Sequence, residues 1–325
     1  MNVGKPLGEA KGDVGDSVSV FRHIAKQLEE SADRLGLERT PALTETDLPG
    51  FAGAITYHPV GPSLGICPFN YPLLMTSMKV APAIATGCSI IIKPNDTTPF
   101  STLEMAHIAS ECGLPAGVLN VIVGDGSVAE RVMTDPRIRK LSFTGSDATG
   151  AKVFRAASDG IRNVTLELGG KAPAVVMEDA DLDTTIEWLM MGGFYGAGQV
   201  CSATSRVLVH RSIHAEVRDR LVANARRLRL GHALAEDVDM GPLVSKKQFD
   251  RVMAYITGAK EAGITCVTGG KPYEEIPGCV TRSGAHLSFP RMLFISFSII
   301  IVFWLLLLSF SSLFSQRVLC GANGL

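Results

Sequence analysis

Hydrophobic positions along this chain fall into two kinds of run. Short apolar, often β-branched stretches at 87–93, 118–123, 140–144, 163–167, 174–177 and 205–210 read as strands, and most are nearly continuous, as in a parallel sheet covered on both faces. Between them, 102–112, 127–134, 181–191 and 214–228 place apolar residues three and four apart, the spacing of a helix with one buried face, and Ser101 or Asp181 could cap a helix start. Strand and helix in alternation predict an α/β fold with a doubly wound, Rossmann-like sheet. One stretch breaks the pattern: the 25 residues between Arg291 and Arg317 carry no charge, and 292–314 is long enough to cross a bilayer as a helix, which takes about 20 apolar residues.

At 325 residues the chain has room for about two domains. With 31 basic against 32 acidic side chains there is no basic field for nucleic acid, and nucleic acid is excluded as a partner. Seven cysteines, none closer than 13 residues to the next, form no zinc knuckle, redox pair or disulfide framework, so no metal is expected. The start of the chain lacks the basic, apolar and small-residue segments of a secretory signal, which points to a reducing, intracellular setting for the body.

Two glycine loops compete for a phosphate. Gly124-Asp125-Gly126, between a strand and a helix, fits a dinucleotide fingerprint but has no acidic residue near the end of the next strand. Phe143-Thr144-Gly145-Ser146, continuing to Gly150, also enters a helix, yet Ala151, Lys152 and Val153 follow where a nucleotide-hydrolysing loop needs Lys and then Ser or Thr. Backbone N–H groups at either helix start could hold a phosphate. Cys201 lies in a polar, glycine-bordered stretch that suits an exposed thiolate nucleophile, whereas the other six cysteines are expected to be buried packing residues. Glu167 ends an apolar run before Gly169-Gly170, which predicts partial burial and a carboxyl raised toward the range of a general base. Asn70, between Phe69 and Tyr71 with prolines on both sides, could cap a turn or present a fixed amide to an oxyanion.

Taken in order, the motifs Pro68-Phe69-Asn70-Tyr71-Pro72, Phe143 to Gly150 followed by Glu167-Leu168-Gly169-Gly170-Lys171, and Gly198-Gln199-Val200-Cys201-Ser202 resemble the NAD(P)-dependent aldehyde dehydrogenase superfamily, over about residues 2–278. The resemblance implies that Cys201 attacks an aldehyde, that the thiohemiacetal gives hydride to the nicotinamide and leaves a thioester, and that Glu167 activates the hydrolytic water. Asn70 and the Cys201 N–H would hold the oxyanion. Lys93 and Asp96 would contact the adenosine ribose, Ser146 and the loop from Gly145 to Gly150 the pyrophosphate, and Gly124, Gly126, Phe143, Thr144 and Leu168 would line the cofactor groove. An acid at 96 favours NAD over NADP, whose 2′-phosphate it would repel. Betaine aldehyde and aminoaldehyde dehydrogenases look most similar, and their aromatic substrate cage is kept in part, by Tyr71 and Tyr195 with Met78 at a third position and Met75 beside them.

The resemblance further implies a cofactor domain over 1–168, lacking its earliest strands, a partial catalytic domain over 169–278, and a tail over 279–325 unlike the family. A homo-oligomer is expected of the family, though its oligomerisation strand is not found here, nor is the later motif that binds the nicotinamide ribose; the short echo at 273–278 reads as a surface turn. For the tail two readings stay open. It is a membrane anchor, giving a catalytically impaired, tethered nucleotide-binding fragment, or it is translated non-coding sequence appended to a cytoplasmic enzyme that acts on a small-molecule aldehyde.

Overall fold

The computed structural model describes residues 3–31, 44–45, 50–53 and 57–272. Helix α1 (Leu7–Ser31) comes first, then a two-residue antiparallel pair, β1 (Thr44–Glu45) and β2 (Ala52–Gly53). A regular alternation follows: β3 (Ser63–Ile66), α2 (Pro72–Ala85), β4 (Ile90–Lys93), α3 (Phe100–Glu111), β5 (Leu119–Val121), α4 (Gly126–Met133), β6 (Lys140–Gly145), α5 (Asp147–Ser158) and β7 (Asn163–Leu168). These five strands make one sheet in the order β5-β4-β3-β6-β7, parallel throughout. The chain winds outward from β3 through β4 to β5, then returns to lay β6 and β7 on the other side. The carboxyl ends of β3 and β6 therefore meet where the winding reverses, the place at which such sheets bind ligands.

Two cores cover the two faces. Leu64, Leu141 and Phe143 pack with Met133 of α4 and with Val153, Ala156 and Ala157 of α5. Ile90, Ile92 and Cys67 pack with Val80 of α2 and Met105 of α3 on the opposite face. Burial on both faces is why β4 and β6 read as nearly unbroken apolar runs. A second, two-stranded parallel sheet joins β8 (Pro173–Val176) to β9 (Arg206–Val209), with α6 (Leu182–Phe194) as the crossover. Val176, Val207 and Val209 are sealed by Ile186 and Leu189 of α6 and by Val217 and Leu221 of α7 (His214–Arg227). Helix α8 (Lys246–Glu261) closes a third cluster around Phe194, Ala197, Met240 and Leu243.

The predicted strands and helices are all present, with ends displaced by up to three residues. Central strand β3 escapes the hydrophobic pattern because Ser63 and Gly65 interrupt it, and α1 escapes because its surface is largely polar. Asp181 caps α6, accepting from the Thr184 N–H at 2.8 Å, whereas Ser101 lies inside the first turn of α3, which begins after Pro99. Among the described residues no helix is long and apolar enough to cross a membrane, and the segment 292–314 lies outside them, as do 273–278.

Leu141, fully buried where β6 meets α5, tests this core. Leu141→Ala is expected to lower unfolding free energy by about 3 kcal/mol, read from urea denaturation at an unchanged slope.

Candidate active site

The nucleophile candidate sits outside regular structure. After α6 the chain makes a tight 3-10 turn, Tyr195–Gly198, in which Gly196, Ala197 and Gly198 hold φ of 59°, 56° and 71°. Three left-handed residues in succession are unfavourable for an L-residue such as Ala197, so glycine on either side lets the chain turn this sharply. Cys201 follows, exposed, at the corner of a turn closed by the Ala203 N–H on the Val200 carbonyl at 3.1 Å. The loop is strapped down on every side. Asn70 Nδ2 donates to the Gln199 carbonyl at 2.7 Å, the Val244 N–H donates to Gln199 Oε1 at 3.1 Å, and the Thr204 N–H donates to the Gly192 carbonyl at 2.8 Å.

The Glu167 motif abuts this loop. A Cβ placed on Gly170 would lie 3.1 Å from the carbonyl oxygen of Cys201, so the Gly169-Gly170 turn packs against the backbone of Cys201. Arg206 Nε adds a bond to the Lys171 carbonyl at 2.8 Å. Glu167 itself is exposed, which corrects the expectation of partial burial: among the described residues β7 is an edge strand, with β6 on one side of its run of β-branched and apolar residues and no strand on the other.

Asn70, Tyr71, Tyr195 and Cys201 are brought together. Burial comes first in pushing the Tyr71 phenol far above its ordinary range, followed by Tyr195, the carboxylates of Glu9 and Asp13, and the Cys201 thiol. Lys5 Nζ stands 3.5 Å over the Tyr71 ring and pairs with Asp13 at 3.2 Å, so the protein's own ammonium occupies one face of that aromatic. Met75, in the first turn of α2 after Tyr71, is half-buried against the core of Val80, Ile90 and Ile92, and Met78, three residues further, is exposed.

The cofactor candidates collect at the carboxyl ends of the strands. Lys93 closes β4, is buried, and has its ammonium destabilised by that burial while Asp96 and Asp125 oppose the effect. Asp96 is exposed, two residues beyond Pro94. The two glycine loops differ in how their helix starts are satisfied. Asp125 caps α4, accepting from the Ser127 N–H at 2.9 Å and from its hydroxyl at 2.6 Å, so a carboxylate already sits at that helix end beside Gly124 and Gly126. Helix α5 is capped by the neutral hydroxyl of Ser146, which accepts from the Thr149 N–H at 3.4 Å. Leu168 packs on Gly150 so closely that a Cβ there would lie 2.5 Å from Leu168 Cδ2, with the ring of the buried Phe143 next to it. Thr144 is buried at the end of β6.

Pattern reading missed two groups. Lys79, buried on α2, passes the bare Cα of Gly65 and donates to Ser142 Oγ at 3.2 Å and Thr144 Oγ1 at 2.9 Å. Its position in a helix run gives no signal of a lysine aimed inward. Glu9, on α1, accepts the Gly196 N–H through both oxygens, at 3.2 and 3.1 Å. Of the cysteines expected to be buried, Cys67 and Cys88 are, but Cys112 is exposed because it ends α3 at the surface and Cys266 is half-buried in an irregular segment; Cys279 and Cys320 lie outside the described residues. Among the described residues no cluster of three or more His, Cys, Asp or Glu could hold a metal.

The family model described as "Aldehyde dehydrogenase family" matches residues 1–283, and the chain belongs to that family. It is 42% identical over 277 residues to a chloroplastic betaine aldehyde dehydrogenase of Amaranthus hypochondriacus and, equally, to peroxisomal aminoaldehyde dehydrogenase 1 of Pisum sativum, each alignment covering 85% of this chain and 54% of the relative. Among solved structures it superposes on betaine aldehyde dehydrogenase from Staphylococcus aureus in complex with NAD+ with a TM-score of 0.81 at 33% identity, covering 89% of this chain and 55% of that one. An NADP-dependent enzyme of E. coli superposes with a TM-score of 0.78 at 34% identity, covering 84% and 56%. The chain thus spans about half the length of the curated relatives it matches.

Lys79 gives the site a pH signature. Burial lowers its folded-state value below the ordinary 10.5, with the Cys67 thiol and Glu167 carboxylate opposing and Lys140 assisting. The folded state then binds fewer protons than the unfolded chain between the lowered value and 10.5, so the cost of burying this ammonium is relieved as pH rises through that window. Lys79→Met is expected to remove this gain: the stability of the parent relative to the variant should climb between pH 7 and 10 in urea titrations, and parallel curves would refute it.

Proposed function

We propose that this chain carries the cofactor-binding region, over 1–168, and the nucleophile-bearing part, over 169–278, of an NAD-dependent aldehyde dehydrogenase that oxidises an aldehyde to a carboxylate. The observation that carries the reading is the packing of the Gly169-Gly170 turn against the Cys201 carbonyl while the Asn70 amide grips Gln199, two residues before the cysteine. That arrangement sets a thiol, a carboxylate-bearing turn and an amide donor around one point.

In this reading the Cys201 thiolate adds to the aldehyde carbon. Asn70 has two amide protons, of which the Gln199 carbonyl takes one. The other, with the Cys201 N–H, stabilises the developing oxyanion. Bound NAD supplies the acceptor for the hydride that leaves the tetrahedral carbon. The carbonyl re-forms as a thioester on Cys201. Glu167, exposed to water at the strand end, takes a proton from the water that attacks this thioester, and the carboxylate product leaves as the Cys201 thiolate is restored.

The residues present fit a dinucleotide. Lys93 offers a donor and Asp96 an acceptor at the end of β4, the pair a ribose diol needs. The start of α5 is the better place for a pyrophosphate, since its cap is the neutral Ser146 hydroxyl, with the Asp147 carboxylate following in the first turn, whereas at α4 the Asp125 carboxylate is itself the cap. Asp96 supports NAD over NADP. Tyr71 and Tyr195, with Glu9, Asp13 and Asp16 acting on both or one of them, support an aldehyde bearing an ammonium group, as the names of the plant relatives indicate for those proteins. Met75 and Met78 would supply the apolar side of the pocket.

Incubating the chain with NAD and betaine aldehyde or an aminoaldehyde should produce the absorbance of reduced nicotinamide. Cys201→Ser should reduce that rate by about a thousandfold or more. A serine variant as active as the parent excludes the thiohemiacetal route, and NAD binding by calorimetry without turnover would mark a nucleotide-binding fragment.

A further inference from the structure

We propose that Glu9 is a positioning residue for the Cys201 nucleophile, with its carboxylate holding the left-handed turn that delivers the cysteine loop. This rests on the reading of Cys201 as nucleophile.

The turn needs an external hold. Gly196, Ala197 and Gly198 all have positive φ, and Ala197 is buried in that conformation. A left-handed alanine persists only when its surroundings enforce it. The internal bonds are the Gln199 N–H and the Gln199 Nε2, each on the Gly196 carbonyl at 3.1 Å. Both act on the carbonyl side of Gly196. On its N–H side stands Glu9, at 3.2 and 3.1 Å through its two oxygens. Such a bond to an ionised acceptor is the stronger kind, and four residues separate Gly196, whose N–H is held, from Cys201.

Glu9 can act as a fixed point because the start of α1 is itself anchored. Asp13, one turn further on, is buried; its Oδ1 accepts the Leu74 N–H at 3.2 Å and its Oδ2 pairs with Lys5 at 3.2 Å. The Ser17 hydroxyl donates to the Asp13 carbonyl at 2.7 Å. Helix α1 is thereby keyed to the first turn of α2, directly after Asn70 and Tyr71. A Cβ on Gly12 would lie 3.4 Å from the Tyr195 hydroxyl, so this face of α1 also touches the residue that opens the turn. Before α1, the Gly4 carbonyl is packed against Gly241, and three residues later the Val244 N–H binds Gln199. One carboxylate at the start of α1 thus links the acidic face beneath Tyr71 and Tyr195 to the backbone that carries the thiol.

The test compares Glu9→Ala, Glu9→Asp and Glu9→Gln in the full chain. Aspartate keeps the charge and draws the carboxylate back by one methylene, whereas glutamine keeps the reach and one acceptor oxygen. The first readout needs no turnover: the iodoacetamide labelling rate of Cys201 divided by that of Cys112, an exposed thiol at the end of α3, in the same chain by peptide mass spectrometry. With alanine or aspartate the ratio should rise about fivefold, as a released loop samples open conformations. With glutamine it should stay within about twofold of the parent. In steady-state kinetics, kcat should fall about tenfold for alanine and aspartate while KM for NAD holds within about twofold. A parent-like labelling ratio in Glu9→Asp overturns the proposal, whether or not the alanine variant folds. If the parent chain shows no aldehyde-dependent reduction of NAD, the proposed function fails while the labelling ratio still decides the role of Glu9.

Discussion

The hydrogen bond of the Asn70 amide on the Gln199 carbonyl, at 2.7 Å and across 129 positions of sequence, joins the two halves of this molecule at the point where chemistry is expected. Asn70 follows the central strand of the first sheet, and Gln199 precedes the cysteine on the crossover of the second. Neither loop belongs to a sheet. The distance between Asn70 and Cys201 is therefore set by this bond and by the packing of Gly170 on Cys201, and the strands only deliver both loops to the same place.

Charge is arranged to match. Both glycine loops lead into helix starts, but a carboxylate caps one and a hydroxyl the other, so the N–H groups at the second cap are held by a neutral oxygen, with the Asp147 carboxylate one residue on. On the opposite side of the cysteine, acidic groups of α1 face two tyrosines whose phenols are held protonated by burial and by those same carboxylates. A neutral, aromatic, electronegative wall results, already engaged on one face by Lys5.

Much of this was legible in sequence, and the failures have physical causes. The strands flanking β3, together with β8 and β9, announce themselves as apolar runs, and the motifs around Asn70, Glu167 and Cys201 mark three loops that do come together. Strand β3 was not legible because a strand needs so few residues, and here two of its four are Ser and Gly. The exposure of Glu167 depends on which strand ends the sheet, a property of topology that local sequence does not carry. Lys79 and Glu9 were invisible for a related reason: each lies on a helix whose local pattern is ordinary, and each acquires meaning from a backbone or hydroxyl far along the chain.

That last feature bears on how the site comes into being during synthesis. The groups that hold the Gly196 to Gln199 segment come from residue 9, residue 70 and residue 244, so the cysteine loop lies between its clamps in order of translation. When Cys201 leaves the ribosome its first two holds are already waiting, but the third is more than forty residues away, still inside the exit tunnel or beyond the codon being read. The first sheet can close as a vectorial unit well before then. The thiol, by contrast, emerges before its own loop can be locked, and this interval is the period in which the growing chain most needs a reducing surrounding or a chaperone's cover.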